Sequence, residues 1–111
     1  MSIHADREYL LPPDAQVAFY RIAQESIHNI IKHGQAAVIS VILRQTKGYT
    51  ALIVTDDGRG FNLEEGAGFG LKNMRERAEI ISAQFDIQSQ PGKGTRVRLL
   101  WKSLPDEMLS Q

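Results

Sequence analysis

No cysteine occurs among the 111 residues, which removes any disulfide framework and any thiolate zinc site and agrees with a reducing compartment. Neither sign of charge prevails: 13 Lys and Arg balance 13 Asp and Glu. No general positive field therefore makes nucleic acid or an anionic membrane the default partner, and an anion would have to be held by a local site. No apolar run approaches the ~20 residues of a membrane span, and residues 1 to 6 lack the charged-then-apolar order of a signal peptide. These absences place the chain in the cytoplasm without direct membrane contact. The length suits one domain over 1–111 with a core at about 11–101 and leaves no room for a second. Neither end carries a clear cap, as expected of a domain belonging to something longer.

Pro12, Pro13 and Asp14 form a helix-start signal, because proline is tolerated in the first turn and an acid there meets the positive end of the helix dipole. The spacing predicts a helix over 14–33 that lays Val17, Phe19, Tyr20, Ala23, Ile27, Ile30 and Ile31 against a sheet, with Gly34 as a left-handed stop. Val38 to Leu43 and Tyr49 to Thr55 read as an antiparallel hairpin turning at Lys47-Gly48. Residues 56–70 are glycine-rich, acidic and without periodicity, a loop too long for so small a domain to carry without use; its middle, 62–67, suits a short lid. A second helix over 71–82 turns Leu71, Met74, Ala78 and Ile81 one way. Phe85 to Ser89 is a strand, Pro91 to Gly94 a turn, and Thr95 to Trp101 a closing strand with Val97, Leu99 and Trp101 on one face. The aromatics, including Trp101, are expected in the core. The order implies an α+β fold: a two-layer α/β sandwich whose mainly antiparallel, mixed sheet carries its helices on one face.

Three segments hold groups that suit a nucleotide. On the first helix Arg21, Glu25, His28, Asn29 and Lys32 share an arc of roughly 100°, opposite the apolar face. The Asn29 amide oxygen is a hard ligand suited to Mg²⁺, Glu25 can hold the hydration shell of the metal, and Lys32 can meet phosphate charge. A solvated helix face accounts for the same stripe taken alone. Asp56-x-Gly58-x-Gly60 follows a strand, where an acceptor-only carboxylate can take the exocyclic amine of adenine and refuse the carbonyl of guanine. Asp56 is preferred to Asp57 for its spacing to the glycines, although an Asp-Gly turn also fits. Gly66 to Leu71 opens the second helix, where unpaired N–H groups suit phosphate; a plain glycine hinge is the alternative. It is not a Rossmann fingerprint, since the sixth position is Leu71, and Lys93 followed by Gly94 rules out a Walker loop. Thr95 adds a hydroxyl on the adenine side, or merely closes a hairpin. His4, His28 and His33 lack partners at metal spacing, and Arg75 to Arg77 reads as a solvated face with room for one phosphate contact.

Taken together, Gln24-Glu25-Ser-Ile-His-Asn29-Ile-Ile-Lys32-His33 resembles the N box, Asp56-Asp-Gly58-Arg-Gly60-Phe61 the first glycine box and Gly68-Phe-Gly70-Leu71 the second glycine box of the ATP-binding catalytic domain of bacterial sensor histidine kinases. That group lies within the GHKL ATPases, with gyrase, MutL and chaperone ATPases. Gly70 to Ala78 and the short stretch between glycine boxes are similar to the nitrate-sensor and DesK or LiaS type subgroup. The resemblance covers about residues 11 to 101 and implies a Bergerat fold with ATP and Mg²⁺ as cofactors. It implies Asn29 as metal ligand, Glu25 near the metal or polarising the attacking imidazole, and Lys32 and His33 on phosphates. Asp56 would take the adenine amine, Gly58 and Gly60 would shape the pocket, and the backbone from Gly68 through Gly70 to Leu71 would hold phosphates. The phosphoacceptor and dimerisation helices of such kinases are absent from these residues, so a monomer is expected whose target histidine, and indirectly a response regulator, lie elsewhere. A GHKL serine kinase of the anti-sigma-factor type and a non-catalytic, ATP-responsive interaction module stand as alternatives.

Overall fold

The computed structural model describes residues 2–5, 11–34, 38–46, 48–58, 70–90 and 92–102. In chain order these give β1 (Ser2–Ala5), α1 (Pro13–Asn29), a π-helical turn (Ile30–Gly34), β2 (Ile39–Thr46), β3 (Tyr49–Asp56), α2 (Leu71–Ile80), β4 (Gln84–Ser89) and β5 (Thr95–Lys102). The sheet order is β1-β2-β3-β5-β4. Its β2–β3, β3–β5 and β5–β4 pairs are antiparallel and β1 joins β2 in parallel. The expected mixed α+β sandwich is therefore present. The strand at residues 2–5 has no counterpart in the sequence reading, since four residues are too few to display a period.

Register decides what each side of the sheet carries. Val41, Val54, Val97 and Ile87 stand in one cross-strand row, and Leu43, Leu52, Leu99 and Phe85 in the next. Because strand side chains alternate with period two, both rows face the same way, and they share one core with Phe19 and Ile22 of the first helix, Ile30 of the π turn and Met74 and Ala78 of α2. Burying each such aliphatic side chain contributes about 1.5–3 kcal/mol. Continuing by two residues along each strand, the third row is Ile39, Asp56, Thr95 and Ser89. The helix-covered face thus turns from aliphatic to polar at one end of β3, β5 and β4.

The first helix differs from expectation in two respects. Its buried stripe consists of Ala15, Ala18, Phe19, Ile22, Ser26 and Asn29, whereas Val17, Tyr20 and Ile31 are exposed, Tyr20 at 62% and Ile31 at 65%. Of the expected face, Phe19 and Ile30 are buried and Ala23 and Ile27 pack against the core, while the tightest part of the stripe uses small Ala and Ser side chains that let the helix approach closely. Ser26 illustrates this, donating from Oγ to the Ile22 carbonyl oxygen at 2.6 Å and contacting Met74 Sδ of α2 at 3.6 Å. In addition, the α-helix stops at Asn29 and widens into the π turn, which runs through Gly34. Such widenings shift later side chains off the helical register. Lys32, on that turn, is exposed. On α2, Met74 and Ala78 are buried with Leu71 and Ile81 packed beside them, and Val97, Leu99 and Trp101 line the core side of β5, as expected.

Candidate functional site

A cleft of about 690 Å³ at this end of the sheet is lined by Asp56, Thr95 and Ser89 of the polar row, by Thr55, Arg96 and Gln88 of the alternate row, and by Lys93 and Gly94 of the turn, a volume usual for small-molecule sites. Asp56 closes β3. Its Oδ1 accepts a hydrogen bond from the Gly58 N–H at 2.6 Å, a local turn typical of Asx side chains. Its Oδ2 is buried and has no hydrogen-bond partner among the described residues. A buried carboxylate oxygen left without a donor is costly, and it fits a ligand that brings an N–H. Asp57 is occupied otherwise: its Oδ1 accepts from the Val38 N–H at 2.8 Å and its own N–H donates to the Val38 carbonyl at 3.3 Å. It braces the start of β2 against the end of β3, which supports the choice of Asp56 on grounds independent of glycine spacing.

Thr95 sits directly opposite Asp56 across β3 and β5 and is 5% exposed. Its Oγ1 lies 2.8 Å from Ser89 Oγ, which also donates to the Gly94 carbonyl at 3.3 Å. Gly94 takes φ +75°, and a Cβ there would fall on the backbone carbonyl of Asp56. Only glycine lets the last hairpin close so near the backbone at the end of β3. Neither Ser89 nor the approach of Gly94 was among the expected site features; the available signal was Ser89's place two residues beyond Ile87 on the same strand face.

The first and third segments meet at the other side of the site. Gly70 precedes α2 in a left-handed conformation at φ +69°, and a Cβ on it would fall on the Glu25 carboxylate. Glu25 is half-buried and shares a polar notch of about 150 Å³ with Arg21, Gln24, Asn73, Met74 and Arg77. Arg77, expected on a solvated face, is half-buried there. Leu71 opens α2 beside it. Asn29, one turn after Glu25, is 3% exposed. It therefore lies on the buried stripe rather than opposite it, at the end where that stripe meets the π turn. Arg21, His28 and Lys32 remain exposed, so the expected arc divides into the buried Asn29, the half-buried Glu25 and a solvated margin. Gly60, Gly68, the lid at 62–67 and the side chain of His33 lie outside the described residues. Among the described residues no group of three or more His, Cys, Asp or Glu is placed to hold a metal. A divalent cation here would depend on a few oxygen ligands, such as the Asn29 amide and the Glu25 carboxylate, plus phosphate oxygens and water, the mode Mg²⁺ favours.

The family described as histidine kinase-, DNA gyrase B-, and HSP90-like ATPase matches residues 14–105. Sensor protein VraS of Staphylococcus haemolyticus is 38% identical over 99 residues, 87% of this chain and 28% of its own length. The VraS of Staphylococcus aureus strain COL is 37% identical over the same shares. The chain thus spans just over a quarter of these relatives. Among solved structures, the histidine kinase domain of the Erythrobacter litoralis EL346 blue-light activated histidine kinase superposes with a TM-score of 0.81 at 19% identity, over 97% of this chain and 53% of that one. The Acinetobacter baumannii histidine kinase AdeS does so with a TM-score of 0.67 at 15% identity, covering 81% and 48%. At these identities the structures speak for the fold.

Proposed function

The chain belongs to the histidine kinase-, DNA gyrase B-, and HSP90-like ATPase family, and from that membership we propose that it binds Mg-ATP and passes the γ-phosphoryl group to a histidine on a separate phosphoacceptor and dimerisation domain of the same parent protein. The observation that carries this reading is the buried, unpartnered Oδ2 of Asp56 in the cleft, an acceptor set to take the 6-amino group of adenine. The relatives reported above are named as sensor proteins or histidine kinases, and no observation favours a serine kinase or a binding-only module.

The base would lie against Asp56 with Gly58 and Thr95 beside it, leaving the triphosphate to run toward α1 and the start of α2. Gly70 and Leu71 offer backbone N–H groups at the opening of a helix, where they favour phosphate. Asn29 would hold a magnesium ion, which when bound neutralises phosphate charge, with Glu25 near its hydration shell; Lys32, and His33 by resemblance, would add phosphate contacts. In the transfer, a nitrogen lone pair of the incoming imidazole attacks the γ-phosphorus, the bond from that phosphorus to the bridging oxygen breaks, and ADP leaves. Glu25, half-buried against Gly70 at the start of α2, would orient the imidazole and draw on its remaining N–H. Little more is needed, because phosphoryl transfer proceeds chiefly by positioning and charge neutralisation. A response regulator would receive the group afterwards, and the reaction would take place in the cytoplasm.

The test supplies γ-labelled Mg-ATP to this chain together with the separately expressed acceptor helices of its parent. Label in an acid-labile, base-stable bond on those helices is the expected result. Asn29→Ala should lower both that yield and Mg-ATP affinity by about tenfold or more while weakening metal-free nucleotide much less. No transfer despite tight ATP binding would turn the reading to a binding module, and equal losses with and without metal would remove Asn29 from the metal.

A further inference from the structure

The seam between α1 and α2 carries two adjoining hollows. Gly70 lies against Glu25, Asn73 and Arg77 meet Arg21 and Gln24, and Ile80 meets Val17, so the two helices run antiparallel. Past the polar notch beside Glu25 the seam opens into an apolar groove of about 150 Å³. Its floor is Ala18, 4% exposed and too short to fill the space, and its rims are Val17 and Ile80, 52% and 75% exposed. None of the roles above uses these rims. Arg77 lines both hollows. It is half-buried, and no hydrogen bond or ion pair joins it to another described residue, neither to Glu25 across the notch nor to Asp14 on the far side of the groove. A guanidinium partly withdrawn from water fits a partner that brings an acceptor-only anion. Seven residues separate it from Gly70, about 10 Å along α2, which carries it past the stretch of helix that would meet the triphosphate.

We propose that this seam is the surface on which one helix of the acceptor domain docks: Val17 and Ile80 take an apolar side chain of that helix, Arg77 takes an acidic one, and the target histidine comes to rest at Glu25. This inference rests on the reading of the chain as the kinase of a histidine on a separate domain. Two antiparallel helices with a groove along their outward side accept a third helix as a ridge in that groove, and apolar rims beside an unpaired cation suit an amphipathic helix with an acidic margin. The matched part of the VraS relatives is just over a quarter of their length, which leaves ample chain in such proteins to supply it. Val17 and Glu25 stand eight residues apart, about 12 Å along α1. The docked helix therefore needs its apolar residue about two turns from its histidine, with the acid between them.

The test runs the transfer assay at rising concentrations of the parent's acceptor helices and measures ATP affinity by calorimetry, on the wild-type chain and on Val17→Asp, Ile80→Asp, Arg77→Gln and Arg77→Lys. Val17→Asp, Ile80→Asp and Arg77→Gln are each expected to raise the KM for the acceptor helices about tenfold and to leave the dissociation constant for ATP unchanged. Arg77→Lys, which keeps the charge, should lose less. An acceptor KM that the first three variants do not move, or an ATP affinity that falls by the same factor, would overturn the docking surface while leaving the kinase reading in place. So would a chain that sediments as a dimer and becomes a monomer in Ile80→Asp, which would give the seam to a second copy. A wild-type chain that binds ATP and transfers nothing to the helices would instead bring down the kinase reading and this inference with it.

Discussion

Replacing Asp56 with Asn is expected to abolish adenine-nucleotide binding, by about 100-fold or more, while the fold stays intact. The substitution keeps the size of the side chain and the bond from the Gly58 N–H, which an amide oxygen accepts as well as the Oδ1 carboxylate oxygen does. The change falls on the second position, where the buried Oδ2 becomes an N–H₂ group. A donor then faces the donor hydrogens of the 6-amino group, and the charge that strengthened their bond is lost. Folding should be unaffected or slightly helped, because a buried carboxylate oxygen without a protein donor is a cost in the unliganded chain. Calorimetric titration with ATP and a thermal melt monitored by circular dichroism check the two halves of this expectation. Unchanged affinity would show that another group reads the base.

Gly94→Ala should be strongly destabilising. It carries two separate penalties. A left-handed residue with a side chain costs about 1–2 kcal/mol, and the new Cβ would overlap the backbone carbonyl of Asp56, which cannot swing aside without disturbing the pairing of β3 with β5. Gly92 separates these penalties. It has φ +82° and nothing within 4 Å of the position its Cβ would take, so Gly92→Ala bears the conformational cost alone. The expectation is a loss of about 1 kcal/mol for Gly92→Ala and about 3 kcal/mol for Gly94→Ala. In a domain of this size the second amounts to a fall of about 10 °C or more in Tm. Gly94→Ala should also weaken nucleotide binding, since it displaces the end of β3 that carries Asp56. Equal destabilisation by the two variants would mean that the approach of Gly94 to Asp56 carries no energetic weight.

Periodic elements were the legible part of this fold. The β2–β3 hairpin, the apolar face of α2 and the alternation of β5 each repeat a simple period over enough residues to be read directly. The first helix was legible as a helix and only in part in its orientation, since Phe19, Ala23, Ile27 and Ile30 meet the core but Val17, Tyr20 and Ile31 do not. Its buried stripe runs through Ala15, Ala18 and Ser26, small residues that a tally of bulky side chains passes over, and Asn29 consequently appeared solvated when it is buried. The π turn after Asn29 has no local signature in Ile30-Ile-Lys-His-Gly34, and the parallel strand at Ser2–Ala5 depends on a partner 38 residues away in the register Ser2 to Ser40. For the site, the acidic and glycine-rich segments announced themselves by type and spacing. What spacing did not convey is how they are assembled: Gly70 against Glu25, Asp57 committed to Val38, and Ser89 and Thr95 placed beside Asp56 by strand register. These are long-range pairings, visible only once the strands are aligned.

The central claim is that the adenine ring binds at the end of β3 and β5, against Asp56. The measurement that addresses it most directly is the footprint of ADP on the backbone amides of the isotope-labelled chain, followed by nuclear magnetic resonance. The largest shifts are expected at Gly58, Gly94 and Thr95, with adenosine alone reproducing them and leaving Gly70 and Leu71 nearly unmoved. Shifts from adenosine centred on the notch of Arg21, Asn73 and Arg77 instead, with Gly58, Gly94 and Thr95 unchanged, would contradict it.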